Sequence, residues 1–594
     1  MDLARLLLAS LIICSPGAQL ADAQTQGPIH LIFDMHCDPI PNGLSVPQKV
    51  AIYEERVANM NWVLDQTEPL GVEISYLSSG LFMELLVGGG SGGVGSVALR
   101  RLYNSGAQIA SHSHSDYRAG VLQWPNLAPG ATLEDERGVW QDNIDWVNQG
   151  ILTAYGGTPP EALDLINNVR GSHVPSNEAD YHTLMGEFGM TVREPGAEED
   201  YYGWYSHHIW HPFRPSATNY MAEDFGTSFV QVTQGSVIGK AALHHGVFQD
   251  MTAGSVKRQF LQLYLNWRYA DRTGQPEKVW SWGWGSHAHD FDLDQASRAA
   301  LVDVLPWIDA HFASRVEPTG SRVMQWDTQR GTADAFLAWE TAHPGVSSFS
   351  FDSLTVDWNE YPWLRPVAEE LAGFLWSADI SLGAGVEAFE FIEGGVKAVL
   401  VWRESGSSSV DVSALVGPDV RVVGLETGSL LGTDPTDVTV AQEPVLITER
   451  DAGCPTPMPY CTANPNSAGS RALIGASGST SMTANDFGLV VTGGVPGKAG
   501  LFFYGPLQIS APFGNGVRCV GGGGLGIFRL APVVNFDGAG AVGRSIDNTA
   551  PPADGGPGAF AAGRAWNFQL WYRDPAGGGV GFNLSDGLSV LFCP

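Results

Sequence analysis

Residues 29–38 read IHLIFDMHCD, an apolar run in which acids and histidines stand only at even positions. Alternate side chains of a β-strand share a face, so the pattern predicts a buried strand on which Asp34, His36 and Asp38 point the same way. These three polar groups come at the end of the run. The stretch therefore predicts a strand that delivers a cluster of ionisable groups to one edge of a sheet.

A second apolar stretch, AQIASHSHSD at residues 107–116, ends in the same kinds of side chain. Imidazole and carboxylate ligands suit zinc and similar divalent ions, and a catalytic zinc keeps three protein ligands and an open position. The two stretches therefore predict a divalent metal, with zinc as the expected ion. The alternative is that these are solvated loop histidines. The predicted ligands are His36, Asp38, His112, and His114 or Asp116, and Asp34 is the predicted general base.

Strand and helix patterns alternate from about residue 28 to 345. Residues 50–64 place apolar side chains every three or four positions, as an amphipathic helix does, and residues 72–76 alternate like a strand. This alternation favours a parallel sheet or barrel with helices outside. Sites in such folds form at the carboxyl ends of strands, where both polar clusters fall.

The rest of the chain has the composition of β-structure. Residues 379–450 contain short β-type runs and predict a small antiparallel sandwich. A linker at 451–470 is rich in Pro, Asn and Ser, and the stretch 471–594 is Gly-rich and lacks His and Glu. We therefore predict a multidomain chain with a catalytic parallel-sheet or barrel domain over 28–378, followed by two β-sandwich domains.

The amino terminus resembles a secretory signal. Arg5 precedes the apolar run 6–14, and the small residues Ala21 and Ala23 suit cleavage, so residues 1–23 predict a signal peptide. No other apolar run approaches the ~20 residues of a membrane span. The expected location is extracellular or periplasmic.

Charge and cysteines agree with that expectation. The 594-residue chain has a net charge of −31, which disfavours nucleic acid and anionic lipid as partners. Of the six cysteines, Cys454, Cys461, Cys519 and Cys593 predict two disulfides of undetermined pairing. Cys37 is expected to be a small buried residue, because alternation points it away from its polar neighbours.

Two further stretches are candidates for the substrate cleft. Residues 282–290 read WGWGSHAHD, and a histidine beside an aspartate can donate a proton, so His289 is the predicted proton donor. Residues 205–214, YSHHIWHPFR, are aromatic and basic; they either line a cleft or form an ordered surface loop. The predicted substrate-binding residues in these stretches are His208, Trp210, Arg214, Trp284 and His287.

Over residues 29–335 the motifs resemble those of the polysaccharide deacetylases, secreted metal-dependent carbohydrate esterases. The segment 99–113 is similar to the helix and strand that lead to that family's metal histidines, and His289-Asp290 with 300–309 is similar to its last motif. The resemblance implies a distorted (β/α) barrel, a divalent metal and removal of acyl groups from a polysaccharide. A fainter third motif puts His173 where the family has an arginine, which implies substrate binding there.

The sequence also departs from that family. The family's first motif has two adjacent aspartates, whereas Met35 follows Asp34 here, and Asp116 stands where a second histidine is expected. Residues 379–450 look like the β-domain that follows glycoside hydrolase barrels. A glycosidase needs two carboxylates, and Asp34, Asp38 and Glu187 are candidates. The alternatives to a deacetylase are therefore a glycoside hydrolase or a non-catalytic glycan-binding surface protein.

Overall fold

A parallel sheet forms the first part of the molecule. The computed structural model describes residues 26–160, 169–170, 178–193, 210–217, 223–232, 235–244, 247–292, 295–348, 351–352, 355–356, 371, 374–449 and 457–593, without 394, 419, 428, 483, 524 and 562–563. The strands of this sheet are β1 (Ile29–Cys37), β2 (Ile74–Ser78), β3 (Gln108–Ser111), β4 (Val169–Arg170), β5 (Val192–Arg193), β6 (Val230–Gln231), β7 (Gly235–Val237), β10 (Trp280–Gly285) and β11 (Met324–Asp327).

The strands run in the order β6-β5-β4-β3-β2-β1-β10-β7, with β11 also paired to β1, and every pairing is parallel. Within the described residues the outermost strands β6 and β7 do not pair with each other. The predicted alternation of strands and helices around a parallel sheet is therefore present. Closure of this sheet into the distorted barrel stays a prediction.

Helices connect these strands. Their bounds are α1 (Val46–Thr67), α2 (Gly80–Gly89), α3 (Val94–Asn104), α4 (Leu133–Ala154), α5 (Glu178–Glu187), α6 (Ala253–Thr273), α7 (Ala296–Ile308) and α8 (Gln329–Ala342).

The two faces of β1 serve different layers. The odd-numbered side chains, from Ile29 to Cys37, belong to the large core that includes residues of α1, α6 and α7. Ile32, on the other face, packs in a separate cluster with Phe336 and Trp339 of α8. Alternation therefore puts Asp34 and His36 on the face that α8 covers, as the sequence pattern predicts.

Strand β10 lies against β1 at very close range. A Cβ atom at Gly283 would come within 1.8 Å of the Ile32 carbonyl oxygen, so no other residue fits there without a backbone shift. The alternate residues Trp280, Trp282 and Trp284 are buried in the large core. The tryptophan side chains of β10 therefore face the large core. The opposite face of the strand, which leads to His287, carries only small residues.

A second, antiparallel sheet follows and shares the first core. Its strands β14 (Leu375–Asp379), β15 (Val386–Glu393), β16 (Val396–Arg403), β18 (Val420–Gly424), β19 (Leu430–Gly432) and β21 (Val445–Glu449) run in the order β14-β15-β16-β21-β18-β19, and β17 (Ser408–Val410) pairs with β20 (Val438–Val440). Phe391, Leu400 and Trp402 join the large core, whereas Val399 and Val401 face a separate cluster with β17 and β20. The sheet is therefore docked on the helices of the first part.

The last part has its own core. Its strands are β22 (Met458–Tyr460), β23 (Leu473–Ser477), β24 (Gly488–Thr492), β25 (Ala499–Gly505), β26 (Leu507–Phe513), β27 (Gly516–Gly521), β28 (Phe528–Asn535), β29 (Val542–Ser545), β30 (Ala565–Arg573), β31 (Phe582–Leu584) and β32 (Gly587–Leu591). They form antiparallel sheets over a core rich in Phe, Tyr and Trp. Two hairpins come earlier in the chain: β8 (Ala241–His244) with β9 (Val247–Asp250), and β12 (Phe351–Asp352) with β13 (Thr355–Val356). Strand β9 also pairs with β26, so the first hairpin lies in one four-stranded sheet with β26 and β27.

The cysteines of the last part are oxidised where the structure describes them. Cys461 and Cys519 form a disulfide, and Cys593 is disulfide-bonded as well. Cys454 lies outside the described residues, as does the predicted signal peptide. Cys37 is free and buried, as its place on the strand predicted. In the described part of the chain no single helix has the length and apolar character to cross a membrane. Helices α2 and α3 reach that length and apolar character only when they are taken together, and the chain bends by 113° between them.

Candidate metal centre

The carboxyl edge of the parallel sheet brings three distant segments together. His36 stands near the end of β1, His112 directly follows β3, and His287 comes two residues after β10. His36 and His287 form a parallel bridge, in which the His36 backbone N–H donates to the Ser286 carbonyl at 2.8 Å. Because parallel strands end at the same edge, residues far apart in sequence share one site.

Asp38, His112 and His114 form the tightest group. The Nε2 atoms of His112 and His114 lie 3.1 and 3.5 Å from Asp38 Oδ1 and 2.9 Å from each other. Ligands of a tetrahedral zinc at bond lengths of about 2.0–2.1 Å stand about 3.3 Å apart. The measured separations bracket that value, so these three donors fit a divalent cation.

The loop after β3 is shaped to present His114. Ser115 has a φ of 87°, in the left-handed region that residues with a side chain seldom adopt. The buried Asp116 accepts the backbone N–H of His114 at 3.0 Å, and burial raises the pKa of Asp116 to about 6. Strained backbone of this kind clusters at functional sites. His114 therefore lies in the group of possible ligands with Asp38 and His112, whereas Asp116 hydrogen-bonds the turn that carries it; which of the two binds the ion stays a prediction.

A second group of possible ligands shares Asp38. One donor atom from each of His36, Asp38 and His287 lies within 4.8 Å of the others. His287 Nε2 is 3.7 Å from Asp38 Oδ1, and the ring centroids of His36 and His287 are 5.6 Å apart. The cluster therefore extends beyond the three closest donors.

Buried carboxylates lie behind both of these histidines. Asp34 Oδ2 is 2.6 Å from His36 Nε2, and Asp290 Oδ2 is 2.8 Å from His287 Nδ1. The other oxygen of Asp290 accepts from Lys240. A carboxylate on one ring nitrogen fixes the orientation of the ring, an arrangement common around bound metals.

Protonation states also suit metal ligands. Burial raises the pKa of Asp38, but the His112 hydrogen bond and the charges of His287, His112 and His114 outweigh it and hold that pKa well below its ordinary value. Burial, together with the charge of His36, holds the pKa of His112 well below its ordinary value. Asp38 is therefore ionised and His112 neutral, the forms that bind cations.

His289 occupies the open side of the cluster. Its ring stacks on His287 with centroids 5.0 Å apart, and 45% of its side chain is exposed. Burial lowers its pKa, although the charge of Asp290 opposes this effect. A third group of possible ligands, His287, His289 and Asp290, is also close, but both oxygens of Asp290 are already engaged. His289 thus lies where a group next to bound substrate would lie.

Asp34 does not fit the predicted role of general base. Its side chain has no exposed surface, and it lies behind His36 with the 2.6 Å contact described above. A base must reach the proton that it removes directly or through one water. This prediction is corrected: Asp34 positions His36 and does not face substrate.

Trp284 is also not a substrate-binding residue. It is fully buried in the large core, with its ring 6.0 Å from Phe33 and 6.1 Å from Trp326. Its burial follows from strand alternation, which turns Trp284 away from the face that carries His287. His287, predicted to bind substrate, instead lies among the possible metal ligands.

Trp210 and Arg214 lie at the opposite edge of the sheet. The carbonyl of Trp210 accepts from the backbone N–H of Ser281, near the start of β10, and His287 lies beyond the other end of that strand, about 20 Å of extended chain away. Arg214 pairs with Glu340 near the end of α8 at 2.7 Å. The prediction that these two residues bind substrate is therefore corrected. His173 and His208 lie outside the described residues.

Arg56 and Asp290 were missed as supports of the site. Arg56, on α1, donates to the Asp38 carbonyl and lies 3.8 Å from the Cys37 sulfur. The sequence did carry a signal, since position 56 falls between Tyr53 and Val57 on the apolar stripe of α1, where a charge needs a partner. For Asp290 the signal was its position three residues after His287, a spacing that lets its carboxylate reach the His287 ring.

Comparisons with known proteins add a limited result. No family model matches the sequence, and no curated protein is similar enough to match. Solved structures similar to this one include two proteins assigned as polysaccharide deacetylases. The first, from Mycobacterium smegmatis, has 14% identity and a TM-score of 0.30, covering 53% of this chain and 96% of that one. The second, from Pseudomonas aeruginosa PAO1, has 11% identity and a TM-score of 0.31, covering 54% and 93%.

The allantoinase Puue is similar to the same extent, with 12% identity and a TM-score of 0.32, covering 54% of this chain and 92% of that chain. Likenesses with TM-scores this low carry no argument about function. The cluster at the carboxyl edge is therefore the feature of this molecule that indicates a function.

Proposed function

We propose that this protein is a secreted metal-dependent hydrolase that removes acyl groups from a polysaccharide. The observation that carries the proposal is the convergence of Asp38, His112 and His114 at separations of 2.9 to 3.5 Å. A divalent ion held there polarises a carbonyl and lowers the pKa of a water molecule. The acyl-removal chemistry comes from the sequence resemblance, and the disulfide Cys461–Cys519 favours export.

The residues around the ligands have separate tasks in this proposal. His289 lies on the exposed side and gives a proton to the leaving group of the sugar. Asp290 and Asp34 fix the rings of His287 and His36 through contacts of 2.8 and 2.6 Å. The side chain of His112 is buried, whereas those of His114 and His289 are 47% and 45% exposed. Substrate therefore approaches the ligands from the side of His114 and His289.

Among the described residues, the three predicted carboxylates do not form the pair that the glycosidase alternative needs. Asp34 is fully buried behind His36. Glu187 lies at the end of α5 and forms a surface ion pair with Arg137 at 2.6 Å. Asp38 is the one candidate that reaches the cluster. Nothing in the described geometry therefore favours two carboxylates flanking a glycosidic bond.

The test uses the purified full chain after treatment with a chelator. We expect it to release acetate from N-acetylated or O-acetylated oligosaccharides only after Zn²⁺, Co²⁺ or Mn²⁺ is returned, and His112→Ala to remain inactive. Cleavage of glycosidic bonds that is insensitive to chelators would instead show a glycosidase. Binding of polysaccharide without turnover under every metal condition would show a non-catalytic protein.

A further inference from the structure

Helix α1 reaches two of the segments that carry histidines and acids of the cluster. Arg56 donates to the backbone carbonyl of Asp38, and Asn59 donates to the backbone carbonyl of Ala288 at 2.9 Å. Residues three positions apart lie on one side of a helix, so both donors point at the carboxyl edge from the same turn. Ala288 belongs to the turn 287–290. The helix is therefore bonded both to the backbone of Asp38 and to the turn that carries two histidines of the cluster.

Helix α4 holds the loop after β3 in the same way. Asn143 is buried, and its side-chain amide donates to the backbone carbonyl of Asp116 at 2.8 Å. Its side-chain oxygen accepts the backbone N–H of Gly80, the first residue of α2, at 2.8 Å. The Asp116 carboxylate in turn accepts the backbone N–H of His114. One side chain of α4 thus links the loop that carries His114 to a second helix.

These three hydrogen bonds all end on backbone carbonyls of the segments that carry the cluster. They fix the backbone from which the imidazoles and carboxylates project and leave the donor atoms of those side chains to the ion. We propose that Arg56, Asn59 and Asn143 are positioning residues, which set the separations of the metal ligands and the place of His289 beside them. The inference rests on the proposed function, because it requires an ion at Asp38 and its neighbouring histidines.

Arg56 is the strongest of the three cases. It is 6% exposed, and a buried charge costs stability unless it is hydrogen-bonded. The Asp38 carbonyl that it binds also accepts from the hydroxyl of Ser79, the residue before α2, at 3.3 Å. Both His112 and His114 contact Oδ1 of this same aspartate. Since metal–ligand distances hold within about 0.2 Å, a small shift of the Asp38 backbone weakens the whole site.

The Zn²⁺ affinity of folded variants tests the proposal, since a merely structural residue would change stability and leave that affinity alone. The full chain is stripped with a chelator and titrated with Zn²⁺ in competition with a chromophoric chelator. We expect Arg56→Met to bind Zn²⁺ about 10 to 100-fold more weakly than wild type, the scale seen when a support of a metal ligand is lost. Arg56→Lys should bind more tightly than Arg56→Met, because an ammonium group can still donate to the Asp38 carbonyl.

The two asparagines give separate readouts. Asn143→Ala should weaken Zn²⁺ binding by about 10-fold, because the loop that carries His114 loses its link to α4. Asn59→Ala should lower kcat by up to about 100-fold with KM near wild type, the scale for a reacting group displaced by 1 Å, because Asn59 positions the turn of His289. Asn143→Ala removes no charge, so it decides the proposal if Arg56→Met does not fold.

Helix α6 supplies matched controls. Arg268 is 2% exposed and donates to the Gln442 carbonyl at 2.8 Å, and the buried Asn266 donates to the Gln262 carbonyl at 2.7 Å. Arg268→Met and Asn266→Ala should lose stability in chemical unfolding and retain the Zn²⁺ affinity and kcat of the wild type.

The outcomes separate this inference from the proposed function. Wild-type Zn²⁺ affinity in folded Arg56→Met or in Asn143→Ala, or equal losses of affinity in the α6 controls, would overturn the positioning role and leave the proposed function standing. A wild-type chain that binds no Zn²⁺ would overturn both.

Discussion

The two edges of the parallel sheet carry the same kinds of residue and differ in how those residues are partnered. At the carboxyl edge His36, His112 and His287 converge on Asp38. At the amino edge the His211 ring pairs with the Val279 carbonyl at 2.8 Å, and Arg214 pairs with Glu340. Polar groups at the amino edge are satisfied locally, whereas those at the carboxyl edge point at one another.

The contrast separates a functional cluster from a structural one. A buried imidazole on a backbone carbonyl is a satisfied core group. Several imidazoles and a carboxylate with donor atoms about 3 Å apart are best stabilised when a cation lies between them and binds all of them. The position of a polar residue relative to the direction of the strands therefore carries the functional information that residue type alone lacks.

The largest difference between the two edges is expected when one buried histidine is removed from each. His112→Ala should abolish metal retention and lower acetyl release on the order of a thousandfold, because several kcal/mol of charge stabilisation are lost. His211→Asn should retain metal and activity. Metal analysis and acetate assays check both. Equal losses in the two variants would remove the distinction between the edges.

A second comparison pairs the exposed His289 with Arg214. His289→Gln should lower kcat about 100-fold, the usual scale for a lost proton donor, and leave metal content unchanged. Arg214→Gln should leave kcat and KM near wild type, because its guanidinium is held by Glu340 and the Thr227 carbonyl at the amino edge. A large KM effect in Arg214→Gln would return this residue to the substrate site.

The sequence predicted the strands that build the site better than it predicted the surroundings. The even-numbered face of β1 and the loop after β3 follow from two-residue periodicity, a local rule. The same rule, applied to residues 280–285, would have placed Trp284 in the core, yet its proximity to His287 in sequence suggested a role in binding.

The remaining errors concern long-range geometry. Which edge of the sheet receives Trp210 and Arg214 depends on pairing with β10 and α8, which no local pattern specifies. The burial of Asp34 behind His36 depends on α8, since Gln329 lies 3.4 Å from the Asp34 carboxylate. Closure of a barrel, which stays a prediction, is likewise a property of how distant strands meet, and the sequence supplied only the alternation of elements.

Two buried His–Asp pairs, whose histidines share one face of β1, offer a finer comparison. Asp34 and His36, near the carboxyl edge, and Asp327 and His30, towards the amino edge, are each 2.6 Å apart. Asp34→Asn should weaken metal binding or activity by 10 to 100-fold, roughly the effect of losing the partner of a metal-binding histidine. Asp327→Asn should cost about 1–3 kcal/mol of stability and leave metal affinity unchanged. Metal titration and chemical unfolding of both variants check this, and equal metal affinities would contradict it.

The smallest expected effect is the pH dependence that His211 gives to the amino edge. Burial, together with the charge of Lys278, lowers the pKa of His211 well below its ordinary value, and the Val279 carbonyl only partly opposes this. The folded state therefore keeps the ring neutral, while the unfolded chain takes up a proton near pH 6.5. Stability from this group is fully present above pH 6.5 and falls as pH decreases, by up to about 1.4 kcal/mol per pH unit.

His211→Asn isolates this contribution, because an amide can donate to the Val279 carbonyl but does not titrate. Chemical unfolding of the metal-loaded wild type and variant between pH 5 and 8 should give a smaller decline for the variant below pH 6.5, even if its stability at pH 8 is lower. The bound ion keeps the carboxyl-edge histidines deprotonated in both proteins. The difference between their slopes of unfolding free energy against pH therefore comes from His211 at the amino edge. Identical slopes would mean that His211 protonates in the folded protein, and the two edges would then not differ in how firmly their histidines are held neutral.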